Sequence, residues 1–127
     1  MALSVNELRI GNLVLYESVE IVLSVSDLIV IDLANKQGYD HKYKPIPLTE
    51  EWLLKFGFKR ERDLNWWNVP KESSYKAHHL MKMQNAWTWF IDFDDTGDNT
   101  HLVSGFNYVH QLQNLYFALT GEELTIK

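Results

Sequence analysis

The residues best suited by type to do chemistry are Asp92, Asp94, Asp95 and Thr96, which close an apolar run in the order Ile91-Asp-Phe-Asp-Asp-Thr. A strand that delivers D-x-D-x-T to its end suits phosphoryl transfer. The first carboxylate attacks phosphorus, the second acts as acid and base, and magnesium is shared between carboxylates. Such chemistry also needs a lysine and a second acidic pair from a long α/β core. Here only residues 97–127 follow, with Glu122, Glu123 and the terminal Lys127, so the motif is read as a chance match. The same segment aligns to a calcium loop through Asp92, Asp94, Thr96, Gly97 and Asp98, but Val103 stands where that loop requires a bidentate Glu. A polar hairpin tip with Gly97 at positive φ is the simpler account.

The histidines invite a metal reading, above all His78 and His79 with Asp98 and His101. Adjacent residues of a strand point to opposite faces, so His78 and His79 cannot share an ion unless the strand breaks there. No H-x-x-x-H or H-E-x-x-H spacing occurs, and there is no nucleophile elbow, phosphate loop or Gly-rich dinucleotide turn. The chain has no cysteine, which removes thiolate nucleophiles, redox switches and thiolate metal sites. The expectation is a protein that is not an enzyme, without catalytic residues, metal or cofactor.

Aromatic usage is the remaining signal. Trp66, Trp67, Tyr75, Trp87 and Trp89 lie among Lys59, Arg60, Arg62, Lys71, Lys76 and Lys82. Exposed rings alternating with cations stack single-stranded bases and track a phosphate backbone, and the same residue types anchor protein–protein hot spots. The competing reading is that these rings fill a sheet–helix interface. Of Trp66 and Trp67, adjacent on an extended segment, one is expected in the core and the other outside. The candidates for contact with a partner or RNA are therefore Lys55, Lys59, Arg60, Arg62, Trp66, Trp67, Lys71 and Lys76. A second set is the acidic hairpin of Asp94, Asp95 and Asp98. A third is His110, Gln113, Asn114 and Phe117, expected to face away from an apolar helix stripe of Tyr108, Leu112, Leu115 and Leu119.

The elements that must position these residues are marked by start and stop signals. Thr49 can cap a helix, Glu50 and Glu51 sit where the helix dipole favours acid, Leu48 can staple onto Leu53, and Gly57 supplies a left-handed stop. A closing helix over residues 107–120 ends at Gly121. Residues 8–16, 20–24 and 28–33 read as three short strands rich in Val, Ile and Leu, and Gly11-Asn12 suggests a bulge in the first. Residues 39–44, 64–69, 77–83, 87–93 and 101–104 read as further strands, and 59–63 as a charged connection. The pattern predicts an α+β fold: a small curled antiparallel sheet, partly barrel-like, with two docked helices at about residues 49–57 and 107–120.

At 127 residues, one domain over residues 1–127 is the natural count, large enough to bury a core without disulfides. No apolar run approaches membrane-spanning length and the N-terminus lacks the features of a secretion signal, so a cytoplasmic protein without membrane contact is expected. The net charge of −5 is unevenly spread: residues 36–83 are net basic between acidic ends. Such a centre can meet a polyanion, or can be a solvated face.

Three cassettes carry a resemblance: ELRIGNLVLY at residues 7–16, PIPLTEEWLLKFGF at 45–58 and YVHQLQNLYFALTGEEL at 108–124. In this order, separated by a variable aromatic-rich stretch, they resemble a family of short proteins from phages, prophages and mobile elements of one bacterial lineage. The resemblance implies a non-enzymatic interaction protein that blunts host defence in the cytoplasm of the bacterial host. Because type VI-B RNA-guided RNA nucleases concentrate in that lineage, its most specific implication is an anti-CRISPR inhibitor of such a nuclease with its guide RNA. It acts at guide-RNA loading or target access, with a host protein rather than a small molecule as partner. The alternative is a nucleic-acid-associated accessory protein of phage replication or packaging. A metal-dependent phosphatase-like enzyme is the third reading.

Overall fold

A computed structural model describes residues 3–60, 66–70, 78–83, 86–92 and 100–126. The chain divides into two compact units, Met1–Leu48 with Tyr108–Leu124, and Thr49–Asn107 with Thr125–Lys127. Both helices and sheets are present.

In the first unit, strands β1 (Leu13–Tyr16) and β2 (Val19–Val22) form an antiparallel hairpin with Tyr16 opposite Val19. Its two-residue turn holds Glu17 and Ser18 at φ 49° and 69°, the left-handed conformation that this hairpin type demands and that Asn-Gly usually supplies. The short strand β3 (Tyr43–Lys44) pairs with the other edge of β1, giving the order β2-β1-β3.

Residues 28–33, expected as a strand, lie instead inside helix α1 (Val25–Gln37). The Leu-Ile-Val-Ile run has strand propensity and no helical period, but the ends decide. Ser24 and Asp27 form a capping box, with the Asp27 carboxylate accepting from Ser24 N at 2.9 Å, and Gly38 at φ 74° closes the helix. A hydrogen bond from the Tyr43 hydroxyl at 2.7 Å, added to the backbone bond from Ser24, holds the Asp27 carboxyl below its usual range. Ile31 packs with Leu3, Leu8, Val14, Leu23 and Tyr43 in one buried cluster.

Helix α3 (Val109–Thr120) ends at Gly121 as the signals predict, with φ 75°. Its buried stripe is shifted by one residue from expectation. Val109, Leu112, Gln113 and Tyr116 face inward, whereas Tyr108, Leu115 and Leu119 are only partly buried. The helix packs against β1.

In the second unit, α2 (Glu50–Lys55) is capped by Thr49, whose hydroxyl accepts from Trp52 N at 3.4 Å. It is followed by Gly57 at φ 89°, and Trp52, Leu53, Phe56 and Phe58 are buried. Strands β4 (Lys59–Arg60), β5 (Trp66–Asn68), β6 (His78–Met83), β7 (Ala86–Asp92) and β8 (Thr100–Phe106) form an antiparallel meander in sequence order. Lys59 and Arg60 thus start the sheet rather than connect to it. Trp67, Leu80 and Trp89 stand in one cross-strand row and are buried. Trp89 meets Phe58 edge to face at 6.4 Å.

Neither sheet closes, so the barrel-like curl is not found. The signal for it was Gly11-Asn12 read as a bulge within a strand. Those residues form a turn ahead of β1, with Gly11 at φ 94° and Asn12 fully buried.

Candidate functional site

The meander brings together part of the cation and ring set. Directly opposed strand residues share a face, and so do residues two apart. Arg60 opposes Trp67 across β4 and β5, and Lys82 opposes Trp87 across β6 and β7. Together with Glu50 of α2, these four residues line one small polar cavity of about 120 Å³. Arg60 and Lys82 are exposed, whereas Trp67 and Trp87 are 4% and 2% exposed.

The rings are therefore the floor of the site, and the cations are its rim. Lys82 Nζ lies 5.9 Å from the Trp87 ring centre, and Lys55 Nζ lies 4.3 Å from that of Trp52, close enough for cation–π attraction. Lys59 is exposed and points to the sheet face opposite Arg60. What this arrangement can do is present positive charge backed by indole rings to an anionic or aromatic group.

Of the sequence-predicted set, Lys55, Lys59, Arg60 and Trp67 are placed. Trp66 lies on β5 opposite Met81, its side chain outside the described set. Arg62, Lys71 and Lys76, and the hairpin acids Asp94, Asp95 and Asp98, lie outside the described residues. Lys82, Trp87 and Glu50 were absent from the candidate set. The ring and cation alternation includes the first two, but their meeting depends on a strand register that spacing alone does not specify.

The third set is arranged differently from expectation. His110 and Gln113 are buried, and Asn114 is half-buried, all engaged with the ELRIGN segment of the same unit. Gln113 Oε1 accepts from Leu13 N at 2.8 Å, and its Nε2 donates to the Gly11 carbonyl at 3.3 Å. Asn114 Oδ1 accepts from Arg9 Nε and Asn12 Nδ2, both at 2.8 Å, while its Nδ2 donates to the Glu7 carbonyl at 2.8 Å. Arg9 also pairs with Glu123 at 2.6 Å and stacks 4.4 Å from the Phe117 ring centre. Phe117 remains 39% exposed. The segments 7–16 and 108–124 are thus each other's partners.

His110 Nε2–H donates to Glu7 Oε1 at 2.9 Å, while its buried Nδ1 has no hydrogen-bond partner among the described residues. Protonating Nδ1 would create a buried donor with nowhere to point. Burial accordingly lowers the pKa of His110, with Glu7 opposing the shift.

The two strand histidines also have structural partners. His78 Nδ1 accepts from the Trp89 indole at 3.0 Å, and His79 Nδ1 lies 3.1 Å from Asn68 Oδ1. Burial lowers the pKa of His78, helped by neighbouring His79. Among the described residues no group of three or more His, Asp or Glu side chains is placed to hold a metal ion. No helix among them is long and apolar enough to cross a membrane.

No protein-family model, curated protein or solved structure matches the chain.

Proposed function

We propose that this is a non-enzymatic binding protein of a phage or mobile element that inhibits a host defence factor in the bacterial cytoplasm. The most specific form of this reading is an anti-CRISPR protein blocking a type VI-B RNA-guided RNA nuclease. The observation that carries the choice of surface is the cavity where exposed Arg60 and Lys82 border buried Trp67 and Trp87. Cations held over aromatic rings suit a protein hot spot on a nucleic-acid-handling partner, and contact with its guide RNA as well. The histidines His78, His79 and His110 having structural partners fits a role in binding rather than catalysis.

The alternative, a nucleic-acid-associated accessory protein, draws on the same cations. The test is RNA cleavage by a purified type VI-B nuclease with increasing amounts of the protein, beside a titration of free RNA at several salt concentrations. The inhibitor reading expects dose-dependent loss of cleavage and weak affinity for free RNA. Tight binding to free RNA that falls steeply with salt, without inhibition, would transfer the function to the accessory protein.

A further inference from the structure

Helix α1 is apolar on two sides, and only one of them is covered. Ile31 and Ala34 are buried, whereas Val25, Ile29, Val30 and Leu33 are 57%, 55%, 50% and 50% exposed. Val25, Ile29 and Leu33 recur every four residues and so form one ridge along the helix. Val30 and Leu33 continue it into an open groove of about 440 Å³, whose opposite wall includes Tyr16 and Tyr39, 38% and 67% exposed. A helix face this rich in Val, Ile and Leu is normally covered.

We propose that this face is where a second copy of the chain docks, α1 against α1, to make a two-fold symmetric dimer. The exposed parts of the six residues amount to roughly 600 Å² of largely apolar surface, the upper end for a monomer's largest patch and about three-quarters of the ~800 Å² per partner of a standard interface. Charge permits self-association here although the chain as a whole is acidic. Asp32 is already paired with Lys36 at 3.0 Å, and Glu17 with Lys42 at 2.6 Å, so of the acids around the groove only Asp40 is one that a second copy has to leave in solvent. A ridge of side chains four apart also fits the groove beside the same ridge in an antiparallel copy, and a two-fold contact requires such self-complementarity. A nucleic acid would find no unpaired cation on this face: of the charged residues lining the groove, Lys42 is paired and Asp40 is acidic.

The dimer is independent of the functional reading, and its test contains no nuclease or RNA. Sedimentation of the 127-residue chain across about 1–200 µM should move from the 14.9 kDa monomer to twice that mass. Ile29→Lys with Leu33→Lys should weaken the association at least about tenfold and leave the far-ultraviolet circular dichroism unchanged, because both side chains are exposed. Val30→Lys, inside the groove, should act in the same direction. A wild-type chain that stays monomeric throughout would overturn the proposal, as would a dimer that survives all three substitutions. A monomer that captures a host protein through this face would also overturn it and give the face to a different occupant.

Discussion

The α3–ELRIGN contact and the β4–β7 face use the same residue types, arginine, amide, histidine and large aromatic, to opposite ends. In the first, the polar atoms point at one another. Arg9 meets Asn114 and Glu123, and Gln113 bridges Gly11 and Leu13. In the second, the rings turn inward while Arg60 and Lys82 stay at the surface. Desolvation explains the difference. A buried amide must find both a donor and an acceptor, and the turn at Gly11-Asn12 leaves backbone groups needing such partners. An exposed cation beside an indole keeps its contact with solvent and does not depend on such pairing. A polar residue in a well-specified helix is therefore weaker grounds for a binding site than a cation on a sheet rim.

The comparison can be broken most severely at Leu112. It is fully buried on α3, so Leu112→Asp should cost on the order of 4 kcal/mol by placing an unpaired charge in the core, and yield unfolded or insoluble protein. A soluble variant with an unchanged thermal midpoint would show that α3 does not dock as described.

Next in size is Gln113→Ala, which leaves Leu13 N and the Gly11 carbonyl without their side-chain partner. About 2 kcal/mol should be lost in a denaturant titration. A loss below about 0.5 kcal/mol, typical of surface positions, would return this residue to the candidate binding set.

His110 should make stability depend on pH. Its folded pKa lies below the ordinary 6.5, so the unfolded chain binds the proton more readily. The contribution is complete above about pH 6.5 and is lost as pH falls from there towards the folded pKa. His78 is shifted in the same direction and adds to the loss. Thermal midpoints measured between pH 7.5 and 5 should therefore fall less for His110→Gln than for the wild type, relative to each protein's own value at the higher pH. Equal slopes would show that His110 titrates normally and that its environment is not as dry as described.

The smallest effect on stability belongs to the opposite region. Arg60→Glu with Lys82→Glu should change stability by about 0.5 kcal/mol or less, because both side chains are exposed, and under the proposed function should abolish inhibition in the cleavage assay. Retained inhibition would move the active face elsewhere, first to the acids of the 92–98 segment.

Where the chain announces its own boundaries, the fold was readable in advance. Thr49 and Gly57 bracket α2, Gly121 closes α3, and the β6–β7–β8 meander follows runs rich in rings and β-branched residues. Helix α1 was missed because its centre carries no period, even though Ser24, Asp27 and Gly38 mark its ends. The site was less legible. Part of the cation set could be named from the sequence, but which of the adjacent Trp66 and Trp67 enters the core could not, and the structure buries Trp67 together with Trp87.

Local chemistry along the chain determined where helices stop and that a basic stretch lies between acidic ends, because each depends on neighbours within a few residues. Only the tertiary structure decided which polar groups are consumed. Arg9 and Glu123 lie 114 positions apart, and Leu13's backbone and Gln113 lie 100 apart. Their pairing depends on chain closure, and no local pattern encodes which distant donor will meet which acceptor.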